Sequence, residues 1–522
     1  MMNKKILGMI GAALCCSFAL SGCGSEKGQE NTGGKTQISW TAWLGAPVNE
    51  NADMIKYWND LLDVDIDVWN IEAANYSETI ALKIAGGEIP DVLYIPTMAS
   101  YTKYAKDGIL AEFTDEQVKE YAPKMYETYK KTDENALSYR KVDGKLYGLP
   151  ALTTKYRRPM AYRGDWMENL GETKLPETLD EFETLMYKFA KNDPDGDGTK
   201  NTYGLSAGGV YAVYGAYGIV PEFWMENENG ELVFGGVQPK MKEALALLRK
   251  WYSDGVLDPE FIVSEKQSAS SNMSTPFVNG KIGFTANGED WHFKPKFDNS
   301  NEAVDWEGDN VKELRKIDSH AADSIRLGLP VKGPHGDCGL GSSSVIGTKS
   351  ATVSFSTKLQ NDEKKLKKIF EVLETIGFTS YDNLLTAKNG IKGVHWDFNE
   401  KNQIVYLDEK YQQYTERAKI GAHTVMTTLA SLEWNNEGKE NEVEWRKETK
   451  ADYGAIENKL KTVLESEGVY GVELEKLRSE AYISIITGSK DLDYFDEFVR
   501  KWNTSGGEQL TKEANEWYKG IK

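Results

Sequence analysis

The sequence predicts a two-lobed α/β protein in which each lobe is a mostly parallel sheet flanked by helices. Three observations lead to this prediction: strand-like and helix-like segments alternate from residue 37 onward, the chain has 522 residues, and 40% of them are hydrophobic. Alternating strands and helices are typical of parallel sheets. A chain of this length exceeds what one hydrophobic core usually supports, so we expect at least two lobes.

The first segments of the folded body alternate regularly. Residue patterns predict strands at 38–42, 64–68 and 90–95, with helices at 51–62 and 76–85 between them. The strand segments alternate polar and apolar residues or form short apolar runs, whereas the helical segments place apolar residues three and four positions apart. This order predicts parallel pairing in the first sheet.

Later segments carry helix signals. Thr178 and Glu181 form a capping-box pattern, which begins a helix that runs to about residue 191. Amphipathic patterns predict further helices at 239–252, 364–376 and 507–521. The last third of the chain is therefore expected to be mostly helical.

Composition excludes several classes of protein. Aromatic residues make up 11% of the chain, which is too many for low-complexity disorder. The formal charge is −19, from 62 basic and 81 acidic residues, and a field of that sign repels nucleic acids and anionic lipid surfaces. Four cysteines exclude a disulfide-dense scaffold.

The N-terminal segment has the features of a secretory signal. Lys4 and Lys5 precede an apolar run at 6–20, which is short for a membrane span and ends in small residues. The following Leu-Ser-Gly-Cys, ending at Cys23, resembles a bacterial lipobox. It implies cleavage after residue 22, lipidation of Cys23 and a location on the extracytoplasmic face of the cell membrane. A plain secretory signal with an incidental cysteine is the alternative.

Processing changes the mature chain. Loss of the two lysines takes the formal charge from −19 to −21. Residues 23–36 are polar and glycine-rich, so they are expected to form a flexible tether between the lipid and the folded body. Contact with the membrane is expected through the lipid anchor only.

Several segments, taken in order, resemble the extracellular solute-binding proteins of bacterial ABC importers (family 1), most closely the carbohydrate-binding lipoproteins of about this length. They include an Ala-Gly-Gly-Glu-Ile-Pro-Asp-Val segment, an Asp-Gly-Lys-Leu-Tyr-Gly-Leu-Pro segment and a Phe-Val-Asn-Gly-Lys-Ile-Gly-Phe segment. The segments lie at 84–92, 143–150, 162–166, 175–182, 277–284 and 506–518.

The resemblance implies a type II periplasmic-binding-protein-like fold with several hinge crossovers. Lobe 1 is expected to hold 37–150 and roughly 285–380, and lobe 2 to hold 151–284 and roughly 381–522. A ligand would be caught in the cleft and delivered to the transmembrane subunits of the permease. The family implies a monomer with no enzymatic activity and no nucleic-acid partner.

A calcium loop is the sharpest chemical motif. Carboxylates at loop positions 1, 3 and 5 with glycine at position 6 suit a hard cation that prefers six to eight oxygen ligands. The loop resembles the calcium loop of the same family, and position 12 is Gly204 rather than glutamate, which favours a structural role. A solvated acidic turn without metal is the alternative. The candidate Ca²⁺ ligands are Asp193, Asp195, Asp197, Thr199 and Asn201.

Tryptophans are the main candidates for contact with an oligosaccharide, because aromatic rings cover the apolar faces of sugars. Trp43 follows the first predicted strand, and ligands bind at the carboxyl ends of parallel strands. Trp224 and Trp291 lie in polar loops, and Trp396 follows His395 in a glycine-containing segment. Each of these tryptophans has a core position as its alternative.

Further candidates are weaker. Asp91 starts a predicted strand and either faces the cleft or caps a helix. Arg157 lies on the first crossover and either binds an acidic sugar through its guanidinium or is a surface charge. His395 and Trp434 complete the predicted ligand set.

Two other functions remain open at the level of sequence. A lipoprotein that binds peptides or another solute would keep the fold. A surface glycoside hydrolase needs two carboxylates about 5 Å apart, and such a pair cannot be recognised among 81 acidic residues. Nucleophile-elbow, phosphate-loop and paired-histidine motifs are absent from the sequence.

Overall fold

A computed structural model shows a mixed α/β chain built on two principal sheets and two large hydrophobic cores. It describes residues 34–264, 273–297, 307–400, 403–422, 426–435 and 440–522. The predicted signal peptide and Cys23 lie outside the described residues. Within the described ranges, no helix combines the length and apolar character that a membrane span requires.

The strands are short and are numbered in chain order. They are β1 (Thr36–Thr41), β2 (Val64–Trp69), β3 (Val92–Ile95), β4 (Lys141–Val142), β5 (Lys145–Leu146), β6 (Gly148–Pro150), β7 (Ala161–Tyr162), β8 (Tyr203–Leu205), β9 (Trp224–Glu226), β10 (Leu232–Phe234), β11 (Ile282–Thr285), β12 (Arg326–Leu327), β13 (Leu340–Ser342), β14 (Thr352–Phe355), β15 (Trp396–Phe398), β16 (Ile404–Tyr406) and β17 (Ala455–Glu457).

The helices dominate the C-terminal third. They are α1 (Asp53–Leu62), α2 (Tyr76–Ala85), α3 (Met98–Lys106), α4 (Asp115–Tyr121), α5 (Pro123–Thr132), α6 (Gly164–Asn169), α7 (Leu179–Lys191), α8 (Val210–Ala216), α9 (Pro239–Ser253), α10 (Phe261–Ser264), α11 (Thr275–Val278), α12 (Asp309–Ile317), α13 (Ser319–Asp323), α14 (Glu363–Phe378), α15 (Tyr381–Asn389), α16 (Tyr414–Lys419), α17 (Glu440–Glu448), α18 (Glu467–Ile486), α19 (Tyr494–Trp502) and α20 (Glu508–Ile521).

The first sheet has the strand order β2-β1-β3-β14-β6. β1 pairs in parallel with β2 and β3, and β14 pairs antiparallel with both β3 and β6. Four of its five strands therefore run in one direction. The second sheet has the order β12-β7-β11-β8, and β7 alone runs against the other three. Both sheets are therefore mixed: three of their seven strand pairings are parallel and four are antiparallel. The prediction of mostly parallel sheets holds for the first three strands only, because the antiparallel strands β7 and β14 lie inside the sheets and each pairs with two neighbours.

The predicted elements of the first sheet are confirmed. β1, β2 and β3 correspond to the three predicted strands, and α1 and α2 lie between them. The capping box of α7 is also present: Thr178 accepts a hydrogen bond from the Glu181 backbone, and the Glu181 carboxylate accepts one from the Thr178 backbone. These signals are local, so the sequence alone is sufficient to place them.

Each sheet has its own core, which gives the two-lobed fold. The first core packs Trp58, Phe355 and Phe370 around the first sheet, and the second packs Phe182 and Phe284 around the second. The exact lobe boundaries stay a proposal. Packing favours placing 307–342 with the second sheet, because the buried residues of that segment pack with it. The described residues of 343–435 are better placed with the first sheet, because many of their buried residues belong to the first core.

Three extended segments run side by side between the two cores. Residues 151–158 are hydrogen-bonded to 341–351, with Ala151 N donating to Ala351 O (2.8 Å) and Arg158 N to Gly341 O (2.9 Å). The third segment contains β17, which pairs in parallel with β13. We call these three segments together the crossover junction.

Glu457 lies where the three segments meet. Its carboxylate is 2.6 Å from Lys155 Nζ and 3.3 Å from Lys461 Nζ, and Lys461 also donates to Ser344 Oγ. Burial acts to raise the pKa of Glu457, but the hydrogen bond from Lys155 and the charge of Lys461 outweigh it, so this pKa is lowered. The Lys461 side chain is only 9% exposed. Glu457 therefore compensates a nearly buried ammonium.

We predict that Glu457→Gln lowers the free energy of unfolding by about 1–3 kcal/mol at neutral pH, because Lys461 would remain buried without its anion. Urea denaturation measures this change. The matched control is Glu465→Gln, which removes a carboxylate that is 81% exposed and paired with Lys106. Its expected cost is below about 0.5 kcal/mol.

The pH dependence follows from the direction of the pKa shift. A lowered carboxyl pKa contributes stability above the ordinary glutamate pKa of about 4.3, and that contribution is lost as the pH falls through the lowered value. The difference between wild type and Glu457→Gln should therefore shrink at acidic pH. Equal losses in both variants at neutral pH would contradict the assignment.

Candidate functional site

An aromatic cluster lies at the carboxyl ends of the first-sheet strands. The Trp43 ring, just after β1, is 6.2 Å from Tyr76 and 6.1 Å from Tyr94, measured between ring centroids. Tyr76 donates a hydrogen bond to Tyr94 O (2.6 Å), which fixes the rings behind Trp43. Trp43 itself remains 41% exposed. It therefore presents an aromatic surface at the edge where parallel sheets place ligands.

Gly45 brings a second exposed ring close to this cluster. The Tyr414 ring of α16 packs directly on Gly45, and a Cβ at position 45 would overlap it. Tyr414 is exposed, like Trp43. The sequence did not indicate Tyr414, because the two residues come together only through long-range packing.

A cavity of about 510 Å³ lies between the two cores, and we call it the inter-lobe cavity. Pro96, directly after β3, lines one side, and β3 also carries Tyr94 of the Trp43 cluster. The described lining residues from the first-lobe side are Pro96, Thr97, Met98, Ala99, Thr348 and Lys349. Those from the junction and the second-lobe side are Glu222, Trp224, Phe234, Asn458, Leu460, Thr462, Val463, Leu464, Glu467, Gly471, Leu474, Glu475, Trp502 and Leu510.

Three aromatic side chains form one wall of the cavity. Trp224 is 5.4 Å from Phe234, and Phe234 stacks on Trp502 at 5.1 Å with an interplanar angle of 8°. Asn458 accepts a hydrogen bond from the Trp224 backbone (3.0 Å) and ties this wall to the crossover junction. Trp224 was a sequence candidate. The sequence does not indicate Phe234 or Trp502, which lie on β10 and α19 and come together only through long-range packing.

A series of contacts between polar side chains connects the crossover junction to the rim of the cavity. The Arg158 guanidinium lies 3.8 Å from the Tyr211 ring centroid, and Tyr211 donates to Glu222 (2.9 Å). Arg478 contacts Glu222 (3.0 Å) and Glu475 (2.7 Å). Burial, helped by the charge of Glu222, raises the pKa of Tyr211 to about 12, so its hydroxyl stays protonated at neutral pH.

Arg157 and Trp291 lie at the crossover junction. Arg157 is buried, its Nε donates to Ala451 O (3.0 Å), and burial lowers its pKa to about 10. It is therefore not a surface charge. Trp291 donates to Glu289 (2.7 Å) and lies 6.2 Å from the Tyr156 ring.

Asp290 adds a buried carboxylate to the same group of charged residues. Burial raises the pKa of its carboxyl to about 6, against the opposing charges of Arg446 and Arg157. Arg446 Nη1 lies 3.1 Å from Asp290. The carboxylate of Asp290 therefore offsets the positive charges of Arg446 and Arg157 next to Trp291.

Asp91 has a structural set of partners. Its carboxylate accepts hydrogen bonds from Ser39 N (2.8 Å) and Lys365 Nζ (2.9 Å). It precedes β3, at the opposite end of that strand from Tyr94. The geometry supports a role in joining β1, β3 and α14 rather than a role at the cleft.

His395 and Trp396 pack inside a small hairpin. His395 Nδ1 accepts from Ile391 N (2.9 Å), and its Nε2 faces Asp53 (3.3 Å). Trp396 is buried and donates to Gly390 O (2.6 Å). Trp434 is half-buried in a turn at Leu432–Asn435. None of the three is among the described residues that line the inter-lobe cavity.

The predicted calcium loop follows α7. One carboxylate oxygen from each of Asp193, Asp195 and Asp197 lies within 4.8 Å of the others. Thr199 and Asn201 fold back onto Asp197, with Asn201 Nδ2 donating to it at 3.0 Å. Burial and the charge of Asp197 raise the pKa of Asp195. Convergent hard oxygens of this kind fit a divalent cation.

Comparison with protein families gives a direct match. The model of a family described as bacterial extracellular solute-binding protein matches residues 46–313, more than half of the chain. The chain is 24% identical over 537 residues to the polygalacturonan/rhamnogalacturonan-binding protein YtcQ of Bacillus subtilis (strain 168), with all of both chains covered. It is 25% identical over 546 residues to lipoprotein LipO of the same organism, covering 100% of this chain and 99% of LipO.

A solved structure gives the same fold. It is an EF-hand mutant of the S. pneumoniae ABC-transporter substrate-binding protein FusA in complex with fructo-nystose, and it matches with a TM-score of 0.59. The match covers 93% of this chain and 99% of the other at 17% identity. Both proteins therefore share a two-lobed fold.

Proposed function

This chain belongs to the family of bacterial extracellular solute-binding proteins, and we propose that it captures an oligosaccharide between its lobes for an ABC importer. The observation that carries the proposal is the inter-lobe cavity, with Trp224 and Phe234 in one wall and Glu222 and Glu475 at its rim. The transmembrane subunits of the permease would receive the ligand. YtcQ and FusA, which are described with glycans, support the same ligand class.

The chemistry of the cavity suits a sugar. Aromatic side chains match the apolar C–H faces of a pyranose or furanose ring, and carboxylates accept hydrogen bonds from hydroxyls, at more favourable energies than neutral acceptors do. Trp43 and Tyr414 are exposed rings outside the described lining of the cavity. We propose that a ligand of several sugar units contacts both the cavity and these rings. Closure of the lobes about the crossover junction would shield it from water.

We predict that a glycan from a panel of oligosaccharides raises the melting temperature of the mature chain. At a ligand concentration of 100 times Kd, the free energy of unfolding should rise by about 2.7 kcal/mol. Trp43→Ala should weaken binding about tenfold, because it removes an exposed stacking surface. Ile317→Ala, an exposed apolar residue at the end of α12, is the control and should leave the affinity unchanged.

The same experiment separates the alternative functions. Stabilisation by peptides and by no glycan would favour a peptide-binding lipoprotein. We propose that the chain is not an enzyme, so a bound glycan should be recovered intact after prolonged incubation. Its cleavage would instead favour a glycoside hydrolase.

We propose that Asp193, Asp195 and Asp197, with the Thr199 carbonyl and the Asn201 side-chain oxygen, hold a structural Ca²⁺. Convergence of the three carboxylates supports this, as does the EF-hand mentioned in the description of the FusA structure. The cation would offset the repulsion between the carboxylates and hold the loop after α7.

Chelation of calcium should lower the melting temperature of the wild-type chain and leave the glycan affinity within about twofold, because the loop lies outside the described cavity lining. Asp195→Asn should melt early and become insensitive to chelator. Asp180→Asn, which removes an acidic residue from the first turn of α7, should behave like wild type. A wild-type melting curve that chelator does not alter would count against the metal.

We propose that the mature chain is held at the outer face of the cell membrane through lipidated Cys23 and works there as a monomer. The apolar run at 6–20 and the Leu-Ser-Gly-Cys segment support this proposal, and the relative LipO is described as a lipoprotein.

In bacterial cells, the wild-type chain should fractionate with membranes and incorporate labelled palmitate. Cys23→Ala should incorporate no palmitate, because it lacks the thiol that carries the lipid, and a chain that starts at residue 24 should elute with the mass of one chain. Cys338→Ala, at the cysteine of the folded body, is the control and should stay membrane-bound. Incorporation of palmitate by Cys23→Ala would contradict the anchor.

A further inference from the structure

The rim of the inter-lobe cavity carries an excess of negative charge. Among its described lining residues, the ionisable side chains are Glu222, Glu467, Glu475 and Lys349. Three carboxylates therefore face one ammonium. Glu475 and Glu222 keep 57% and 37% of their side chains exposed, so their oxygens are accessible to a ligand.

Arg478, the buried cation beside the rim, already forms ion pairs with protein carboxylates. Arg478 uses Nε and Nη2 to bind both Glu475 oxygens (3.1 and 2.7 Å), and its Nη2 also contacts Glu222 (3.0 Å). Its side chain is almost fully buried. Arg478 thus holds the two carboxylates in place and is poorly placed to receive an anion from a ligand.

The neighbouring guanidinium of Arg158 is also engaged. It stacks on Tyr211 (3.8 Å to the ring centroid), and its Nη1 donates to Ala286 O (3.2 Å). Arg157, the sequence candidate for binding an acidic sugar, is buried at the crossover junction. These three arginines therefore serve the fold, and Lys349 is the one cation among the described lining residues, against the carboxylates of Glu222, Glu467 and Glu475.

We infer that the cavity takes an uncharged oligosaccharide and selects against chains of uronic acids. This inference rests on the proposed function and narrows its ligand class. Hydroxyl groups donate hydrogen bonds that exposed carboxylates can accept. A uronate would instead bring its own carboxylate close to Glu222 and Glu475, where like charges repel. The relative YtcQ, described as binding polygalacturonan, would differ from this chain in that respect.

The test compares tetrasaccharides by calorimetry on the mature chain. The neutral set contains gluco-, galacto-, manno-, xylo-, arabino- and fructo-oligosaccharides, and the acidic set contains tetramers of galacturonate, mannuronate and guluronate. The tightest ligand should be neutral, with every uronate at least about tenfold weaker at low salt. The gap should narrow at high salt, because salt screens the repulsion.

Two isosteric variants on α18 locate the effect. Glu475→Gln removes one rim charge, so it should shift the ratio of uronate to neutral affinity at least about threefold towards the uronate. Glu473→Gln removes the same charge from an exposed position on the same helix and should leave that ratio within about twofold. Thermal melts should show that both variants fold.

The outcomes are distinguishable. A uronate tetramer that binds as tightly as the best neutral glycan would overturn the inference and leave the proposed function standing. Equal shifts in the two variants would also overturn it, because they would trace the selectivity to the net charge of the whole chain. A lack of binding by every glycan would overturn the proposed function itself.

Discussion

The ion pairs of Glu457 with Lys155 and Lys461, together with the hydrogen bond from Lys461 to Ser344, join the three segments on which the two-lobed structure depends. Each lobe packs its own core, and the extended segments of the crossover junction pass between the two cores. Because these segments pair with one another, the crossover junction connects the two lobes. A cavity beside the junction is therefore lined by residues of both lobes.

The same architecture explains why the candidate site is composite. Pro96 comes directly after β3 of the first sheet, whereas Trp224 and Glu475 belong to the second lobe, and all three line one cavity. The net negative charge of the chain is matched by carboxylates that line this cavity. Carboxylates at the rim are held by Arg478, and Trp43 exposes an aromatic ring just after β1 of the first sheet. The proposed recognition of uncharged, hydroxyl-rich chains rests on this combination.

Local signals were enough to predict β1 to β3, the capping box of α7, and Trp43 at the end of a parallel strand. The Phe234–Trp502 stack and the Glu222–Arg478–Glu475 group were not predictable, because they join segments far apart in sequence. Trp396 shows the opposite case. Glycine-containing surroundings suit both a ligand loop and a tight hairpin, and the hydrogen bond to Gly390 O places Trp396 in the hairpin core.

The central claim, that a glycan binds between the lobes, is tested most directly by fluorine NMR on the mature chain labelled with 5-fluorotryptophan. The 14 tryptophans report on both cores, the hairpin and the proposed site, and single Trp→Phe variants assign their signals. Addition of a stabilising glycan should shift the signals of Trp43 and Trp224 and leave that of Trp396 in place. A shift confined to Trp396, with Trp43 and Trp224 unchanged, would contradict the claim.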